Sequence, residues 1–241
     1  MSDRVVLVTG STSGIGLATA RLFAEAGDRV VFNSVRSVKE GERLAAETPN
    51  SMYVQADVAK NEDCVRLVAD ILEHFGRLDV VVNNAGTTKV IPHRDLAAAT
   101  LDVWREIFEV NVFGTWSLCV AAMDALRASH GAIVNVSSLA GVRATGSSIP
   151  YAASKAAVNH MTALLAKAVG PEVRVNAVAP GLIDTPWTKD WDTVRGFVEA
   201  VAPLKRSGMP DDVAAVIVAL ASSTYVTGQV VVVDGGLGLA T

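Results

Sequence analysis

Val5-Val6-Leu7-Val8-Thr9-Gly10-Ser11-Thr12-Ser13-Gly14-Ile15-Gly16 opens the chain with a short apolar run and a glycine-rich segment. The apolar run predicts a buried strand, and the glycine-rich segment predicts a tight turn that leads into a helix. The glycines allow a sharp turn and a close approach of the backbone to a pyrophosphate, which the first N–H groups of the helix would face. The spacing is G-x-x-x-G-x-G rather than G-x-G-x-x-G, so this turn alone is weak evidence for a nucleotide site.

The rest of the chain alternates between β-branched apolar runs and helical patterns. The predicted strands are 5–8, 30–32, 52–55, 80–82, 133–136, 173–178 and 230–233, and the predicted helices are 14–26, 38–47, 61–75, 101–126, 151–169 and 211–221. This alternation predicts an α/β fold: one domain over residues 1–241 with a doubly wound parallel sheet (Rossmann fold) of about seven strands and helices on both faces. Such sheets bind ligands beyond the carboxyl ends of their strands.

Tyr151-Ala-Ala-Ser-Lys155 sets a phenol and an ammonium four residues apart on one face of a predicted helix. A tyrosine with a pKa of about 10 is a poor acid or base at neutral pH, but a nearby positive charge favours the phenolate. The pair therefore suits carbonyl reduction or alcohol oxidation. Taken alone it is a weak signal, because many helices carry a Tyr and a Lys at this spacing.

Several further motifs occur together with this pair and in a fixed order. They are Thr9 to Gly16, Asn83-Asn84-Ala85-Gly86, Asn111, Ser138, Tyr151 with Lys155, and Pro180-Gly181. Over nearly its whole length the chain resembles the classical short-chain dehydrogenases/reductases. This resemblance implies an oxidoreductase that moves a hydride between a nicotinamide cofactor and a carbonyl or secondary alcohol, with the chemistry residing in the cofactor.

The resemblance implies a catalytic tetrad of Asn111, Ser138, Tyr151 and Lys155. Ser138 would donate to the substrate carbonyl oxygen while Tyr151 supplies the proton. Lys155 would lower the tyrosine pKa and bind the nicotinamide ribose, and Asn111 would hold a water that relays protons to Lys155. Without the Tyr/Lys pair, the serines at 137 and 138 would be interpreted as a strand end that bonds its own backbone.

The predicted cofactor contacts follow the ends of successive strands. They are Gly10, Ser11, Ser13, Gly14, Ile15 and Gly16 after the first strand; Ser34 and Arg36 after the second; Asp57 and Val58 after the third; Asn84, Ala85 and Gly86 after the fourth; Tyr151 and Lys155; and Pro180, Gly181, Ile183 and Thr185 after the sixth. By resemblance, Asp57 accepts from the adenine amino group, and Ile183 and Thr185 hold the carboxamide and phosphates. The Asn-Asn-Ala-Gly stretch could instead be a simple turn.

The end of the second strand bears on the choice between NADP(H) and NAD(H). NAD-specific relatives place an acidic residue at the position aligned with Ser34, where it binds the ribose 2′-OH and repels a 2′-phosphate. Ser34 lacks that charge, and Arg36 could pair with the phosphate. Ser13 stands where many NADP-using relatives carry a basic residue, so one phosphate contact is missing. We predict a preference for NADP(H), with NAD(H) still usable.

Residues 182–208 form a long connection before the last predicted helix, and long connections in compact domains are usually functional or mobile. We predict a substrate lid here, with Trp187 and Trp191 joining Ser138 and Tyr151 as substrate contacts. The alternative is a surface excursion whose tryptophans only pack down. The substrate itself stays open between a 3-oxoacyl thioester, sugars, steroids and small ketones.

Composition limits the other possibilities. The 241 residues are half apolar with a net charge of −4, so a basic stripe for nucleic acid is absent. The longest apolar run, 213–221, is too short for a bilayer span, and strand-like sequence begins at Val5, so we expect neither membrane insertion nor a signal peptide. Cys64 and Cys119 are interpreted as reduced thiols of a cytoplasmic protein. The four histidines form no close-spaced ligand set, and no metal is predicted.

The resemblance also implies a homotetramer, paired through the helices 101–126 and 151–169 and through the last strand. An acyl-carrier protein is a further candidate partner, for which Lys189, Lys205 and Arg206 near the lid give only a faint hint. Two other classes stay open: a nucleotide-sugar epimerase or dehydratase, whose larger C-terminal region is missing here, and a non-catalytic dinucleotide-binding sensor. The sensor is disfavoured because all four tetrad members are present.

Overall fold

The computed structural model describes residues 3–240 and contains a single seven-stranded sheet. The strands are β1 Val5–Val8, β2 Arg29–Ser34, β3 Ser51–Gln55, β4 Val80–Asn83, β5 Ala132–Val136, β6 Arg174–Pro180 and β7 Val230–Val233. Their order in the sheet is β3-β2-β1-β4-β5-β6-β7, and every pairing is parallel. The predicted doubly wound parallel sheet is confirmed, with all seven strands where the sequence placed them to within two residues.

In the described part of the chain, eight α-helices cover the sheet. They are α1 Gly14–Glu25, α2 Val38–Glu47, α3 Asn61–Phe75, α4 Leu101–Phe108, α5 Thr115–Ser129, α6 Ile149–Val169, α7 Asp192–Val201 and α8 Pro210–Ser222. None of the helices within residues 3–240 is both long enough and apolar enough to cross a bilayer.

The central strands β1, β4 and β5 are buried on both faces, as their continuous apolar sequences require. In β1, Val5 and Leu7 join the core beneath α3, α5 and α6, whereas Val6 and Val8 join the core beneath α1 and α8. This split follows from the two-residue period of a strand. Cys64 and Cys119 are both buried, unpaired thiols in the first of these cores, as the sequence predicted.

Two expectations about the helices are wrong. The single helix expected over 101–126 is interrupted by a π-helical segment, Glu109–Gly114, which separates α4 from α5. The connection 182–208 was expected to lack regular structure, but it contains a short 3₁₀ turn, Pro186–Thr188, and the helix α7. The signal for α7 was its apolar spacing at 194, 197, 198 and 201, a helical period.

Candidate active site

A cleft of about 1330 Å³ lies along the carboxyl edge of the sheet and is lined by most of the predicted site residues. Twenty of the 23 predicted residues line it: Gly10, Ser13, Gly14, Ile15, Ser34, Arg36, Asp57, Val58, Asn84, Ala85, Gly86, Ser138, Tyr151, Lys155, Pro180, Gly181, Ile183, Thr185, Trp187 and Trp191. Ser11, Gly16 and Asn111 lie behind its wall. The sheet order brings these segments together, because parallel strands all end at the same edge.

The turn after β1 is shaped for an anionic ligand. Gly10 and Gly14 have φ values of 61° and 54°, which favour glycine. A Cβ on Gly10 would lie 3.2 Å from the Cα of Ala85, and one on Gly14 would lie 3.2 Å from the methyl carbon of Thr185. α1 begins at this turn, and its cap residue Ser13 makes no side-chain cap hydrogen bond, so first-turn N–H groups remain for a ligand. These features fit the pyrophosphate of a dinucleotide.

Ser11 and Gly16 do not line the cleft, contrary to the sequence expectation. Ser11 is fully buried, and its Oγ accepts the N–H of Asn33 at 2.9 Å. A Cβ on Gly16 would lie 2.5 Å from both the Nδ2 of Asn84 and the carbonyl oxygen of Gly10. Both residues therefore pack the glycine-rich turn against its neighbours.

Thr9 and Asn84 join the ends of β1 and β4 beneath the cleft. The Nδ2 of Asn84 donates to the carbonyl oxygens of Thr9 at 2.8 Å and Gly10 at 3.1 Å. The Oγ1 of Thr9 accepts the N–H groups of Asn84 and Ala85, each at 3.0 Å. The role of Thr9 was missed in the sequence, where it is only the last residue before the glycine turn.

At the far end of the cleft, β2 and β3 present a polar corner. The hydroxyls of Ser34 and Tyr53 are 2.9 Å apart. Arg36 and Ser37 line the cleft beside Ser34, and Ser37, the N-cap residue of α2, makes no side-chain cap hydrogen bond. The Oδ1 of Asp57 accepts the N–H of Ala59 at 3.1 Å. Ser37 and Tyr53 belong to this polar corner, although the sequence did not predict a role for either residue.

The Tyr/Lys pair lies at the opposite end, on α6. The cap Ser148 sets the start of this helix, because its Oγ accepts the N–H of Tyr151 at 3.4 Å. Lys155 is buried, and its Nζ donates to the carbonyl oxygen of Val136 at 2.8 Å and lies 5.8 Å from the ring centroid of Tyr151. Ser138 follows β5 and accepts the N–H of Ala140 through its Oγ at 3.1 Å.

Burial controls the proton affinities of both groups. It raises the pKa of Tyr151 above its ordinary value, while the hydrogen bond with Ser138 acts in the lowering direction. Burial also lowers the pKa of Lys155 to about 8. Burial and the Ser138 hydrogen bond set the direction of the Tyr151 shift in this structure, so the lowering of the tyrosine pKa by Lys155 stays a prediction. At neutral pH the phenol is protonated and able to donate.

Asn111 lies behind the cleft wall and links the Thr87 backbone to α6. Its Oδ1 accepts the N–H of Thr87 at 2.8 Å, and its Nδ2 donates to the carbonyl oxygen of Thr87 and to the Oγ of Ser154, each at 3.0 Å. The Oγ of Ser154 donates to the carbonyl oxygen of Tyr151 at 2.7 Å. Asn111 lies in the π-helical segment, and π-bulges inside helices are frequent at functional sites.

The segment after β6 covers the tyrosine end of the cleft. The rings of Trp187 and Tyr151 meet edge to face with their centroids 6.4 Å apart. Arg195 on α7 holds the segment together: its guanidinium donates to Asp184 at 2.9 Å, to Asp192 at 2.7 Å and to the carbonyl oxygen of Thr188 at 3.3 Å. The tryptophans are thus held in a braced structure over the cleft.

Other cleft residues escaped the sequence prediction. They lie in the stretch after β4, in the loop before α6 and on α7: Thr88, Val90, Ile91, Pro92, His93, Thr145, Ser147, Val194 and Phe197. The only available signal was their position in long connections at the carboxyl edge of the sheet, since none of them belongs to a motif.

Comparison with known proteins agrees with this geometry. The family model described as enoyl-(acyl carrier protein) reductase matches residues 10–238. The "Granaticin polyketide synthase putative ketoacyl reductase 2" of Streptomyces violaceoruber is 56% identical over 239 residues, covering 98% of this chain and 96% of that protein. The L-fucose dehydrogenase of Oryctolagus cuniculus is 38% identical over 252 residues, covering 100% of this chain and 87% of the relative.

Among solved structures, a short-chain dehydrogenase/reductase of Brucella melitensis, titled SDR:Glucose/ribitol dehydrogenase, superposes with a TM-score of 0.92 at 32% identity and covers 98% of this chain and 97% of its own. The fold and site together define a dinucleotide-dependent oxidoreductase. The chain belongs to the short-chain dehydrogenase/reductase family, whose members use NAD(P) to interconvert carbonyl compounds and alcohols.

Proposed function

We propose that this protein is an NADP(H)-preferring ketone reductase with a 3-oxoacyl ester or thioester as its best substrate type. The observation that carries the proposal is the placement of Tyr151, Ser138 and Lys155 together in the cleft, at the end away from the polar corner, where burial raises the pKa of Tyr151 and keeps its phenol protonated at neutral pH. A protonated phenol serves as a general acid toward a carbonyl oxygen that gains negative charge.

Each tetrad residue has a distinct task in this proposal. Tyr151 donates the proton to the substrate oxygen, and Ser138 offers a second hydroxyl to the same oxygen. Lys155, held by the carbonyl of Val136, binds the ribose hydroxyls of the cofactor and supplies positive charge. Asn111 is a positioning residue, since its contacts join the Thr87 backbone to α6. When bound, the reduced nicotinamide supplies the hydride that adds to the carbonyl carbon.

The polar corner at the end of β2 supports the cofactor preference. Ser34 carries no charge, and Arg36, Ser37 and the N-terminus of α2 all face the same part of the cleft. A 2′-phosphate placed there would receive charge-assisted hydrogen bonds from arginine and hydroxyl donors. The ketoacyl reductase name of the relative at 56% identity supports the substrate type.

Nothing around the lid supports an acyl-carrier partner. The guanidinium of Arg206 pairs with Asp212 through bonds of 2.7 and 3.0 Å, and Lys205 donates to the carbonyl of Ala200 at 2.7 Å. Lys189 lies 4.0 Å from the carboxylate of Asp190. Arg206 and Lys189 each lie next to a carboxylate, and Lys205 is bonded only to a backbone carbonyl, so a single unpaired charge is left here rather than a basic patch.

We further propose that residues 182–208 act as the substrate lid and that the protein is a homotetramer. The lid proposal is supported by the position of Trp187 against Tyr151. The tetramer proposal is supported by large exposed apolar side chains on the π-helical segment and α5, Phe113, Trp116 and Val120, each about half exposed, since patches of this kind mark association surfaces.

The direct test is a panel of ketones, aldehydes and alcohols assayed by NAD(P)H absorbance with the wild type and Tyr151→Phe. We expect turnover of 3-oxoacyl esters by the wild type, and near loss of that turnover in the variant. A wild type that turns over none of the panel, or a variant with wild-type turnover, would overturn the proposed function.

A further inference from the structure

The tyrosine end of the cleft has a strongly apolar wall. Trp187, Val194 and Phe197 line it with 47%, 45% and 52% of their surfaces exposed. On α7 the neighbouring Val198 and Ala202 are buried against Leu139 and Leu237, so the helix turns one apolar face to the core and another, with Val194 and Phe197, to the cleft. Exposed apolar surface of this kind at a cleft marks a binding surface.

The cleft is also lined by a pair of hydroxyls, those of Thr88 and Ser147. The Oγ1 of Thr88 and the Oγ of Ser147 are 2.6 Å apart, and the N–H of Ile91 donates to the carbonyl oxygen of Ser147 at 2.8 Å. One hydroxyl proton is used between the two oxygens. Thr88 also lies 3.4 Å from the carbonyl oxygen of Lys89, a long contact that a ligand oxygen can replace by accepting the second hydroxyl proton. Both residues line the cleft, and Ser147 lies four residues before Tyr151 in the chain.

Positive charge is scarce at this end. Among the cleft residues that the structure describes, the basic side chains are Arg36, at the distant polar corner, His93, and Lys155, whose Nζ donates to the carbonyl oxygen of Val136. The carboxylates Glu106 and Asp190 also line the cleft, and Glu106 is already paired with Lys89. A substrate with a free carboxylate near its carbonyl would therefore lose solvation here, while the ammonium beside Tyr151, that of Lys155, is already engaged by the Val136 carbonyl and assigned to the cofactor ribose.

We propose that the substrate is an uncharged carbonyl compound with a ring-bearing apolar body and a second oxygen near the reacting carbonyl. The ring packs against Trp187 and Phe197, and the second oxygen accepts a hydrogen bond from whichever of the Thr88 and Ser147 hydroxyls does not donate to the other. An aryl β-keto ester has all three features. This inference rests on the proposed reductase function and adds the charge and shape of the substrate.

The test compares four compounds under saturating NADPH: ethyl benzoylacetate, its free acid benzoylacetate, ethyl acetoacetate and acetophenone. Relative to ethyl benzoylacetate, the free acid adds a negative charge, ethyl acetoacetate lacks the aromatic ring, and acetophenone lacks the second oxygen. We expect kcat/KM for ethyl benzoylacetate to exceed that of each of the other three at least ~10-fold, the equivalent of one lost contact of about 1.4 kcal/mol.

Three variants assign the contacts. Phe197→Ala is expected to raise KM for ethyl benzoylacetate roughly 10-fold and to change KM for ethyl acetoacetate much less. Thr88→Val, which keeps the shape and removes the hydroxyl, is expected to lower kcat/KM for ethyl benzoylacetate and to leave acetophenone unchanged. Val65→Ala is the control, because Val65 is an exposed apolar residue of α3 outside the cleft. NADPH dissociation constants should be equal in all variants.

The results separate this inference from the proposed function. Reduction of the free acid or of ethyl acetoacetate as efficiently as ethyl benzoylacetate would overturn the inference and leave the reductase proposal standing. Equal losses for all four compounds in Phe197→Ala or Thr88→Val would also overturn it. An enzyme that reduces none of the four with either cofactor contradicts both.

Discussion

The Nζ of Lys155 donates to the carbonyl oxygen of Val136 at 2.8 Å, which ties the catalytic helix α6 to the last residue of β5. The lysine is 5% exposed. It therefore carries its charge in a site with few solvent contacts, where a single carbonyl dipole offsets part of the desolvation cost. This placement makes the ammonium available to a cofactor at the cost of folding stability.

That cost predicts a pH-dependent stability. The pKa of Lys155 is about 8 in the fold and about 10.4 in the unfolded chain, so the unfolded state binds the proton more tightly. Above pH 8 the folded lysine loses its proton, and this group's contribution to the free energy of unfolding rises until about pH 10.4. We expect the stability of the wild type relative to Lys155→Met to rise by about 2 to 3 kcal/mol between pH 7 and 10.5.

Urea denaturation of the two proteins at several pH values measures this difference, and the other titrating groups cancel between them. A difference that stays constant from pH 7 to 10.5 would contradict the lowered pKa of Lys155.

Tyr151→Phe should fold and bind cofactor like the wild type, because it removes one hydroxyl from a packed ring. Its kcat is expected to fall by at least the ~10²–10⁴-fold typical of general acid–base catalysis. Steady-state kinetics together with cofactor fluorescence titration check this result. Turnover within a few-fold of the wild type would mean that another group supplies the proton.

The cofactor preference depends on Ser34 and Arg36. We expect kcat/KM to favour NADP(H) over NAD(H) by roughly one to three kcal/mol, the range of a hydrogen bond to a charged group. Ser34→Asp combined with Arg36→Ala should reverse this preference, since the new carboxylate repels a 2′-phosphate and accepts from a 2′-OH. Equal or higher kcat/KM with NAD(H) in the wild type would contradict the proposal.

The lid proposal can be tested by changing Arg195, which holds residues 184–195 together, and by changing the two tryptophans. Arg195→Met removes the bonds to Asp184, Asp192 and Thr188. We expect it to raise the substrate KM several-fold, or lower kcat, with little change in cofactor affinity, because lids act on substrate commitment. Trp187→Ala and Trp191→Ala should act in the same direction.

Arg105→Met is the matched control for Arg195→Met. Arg105 also pairs with an aspartate three residues away, Asp102, but on an exposed stretch of α4. Wild-type kinetics in all three lid variants would leave 182–208 as a surface connection.

The homotetramer predicts that charge on α5 dissociates the assembly. Trp116 and Val120 are four residues apart on one exposed face, and changing both to glutamate would place two carboxylates in a buried contact. We expect light scattering to give a tetramer mass for the wild type at micromolar concentration and a smaller mass for the double variant. A monomer mass for the wild type would contradict the prediction.

The sequence by itself determined the sheet and the approximate composition of the cleft. Strand runs such as 5–8 and 133–136 are unambiguous because both faces of these central parallel strands are buried. Residues at strand ends, such as Gly10, Asn84 and Ser138, could be assigned to one cleft because the carboxyl ends of parallel strands share one edge.

Only the tertiary structure decided which side chains face the cleft or the core, and in which direction burial shifts their pKa values. Ser11 is adjacent to Gly10 in the sequence but is buried, and its Oγ accepts the backbone N–H of Asn33 on the neighbouring strand. Asn111, in the π-helical segment, hydrogen-bonds the backbone of Thr87, 24 residues away, a contact that the helical spacing of 101–126 does not predict. The pKa of Tyr151 rises rather than falls because the surrounding fold removes water, an effect that a spacing of four residues to Lys155 cannot reveal.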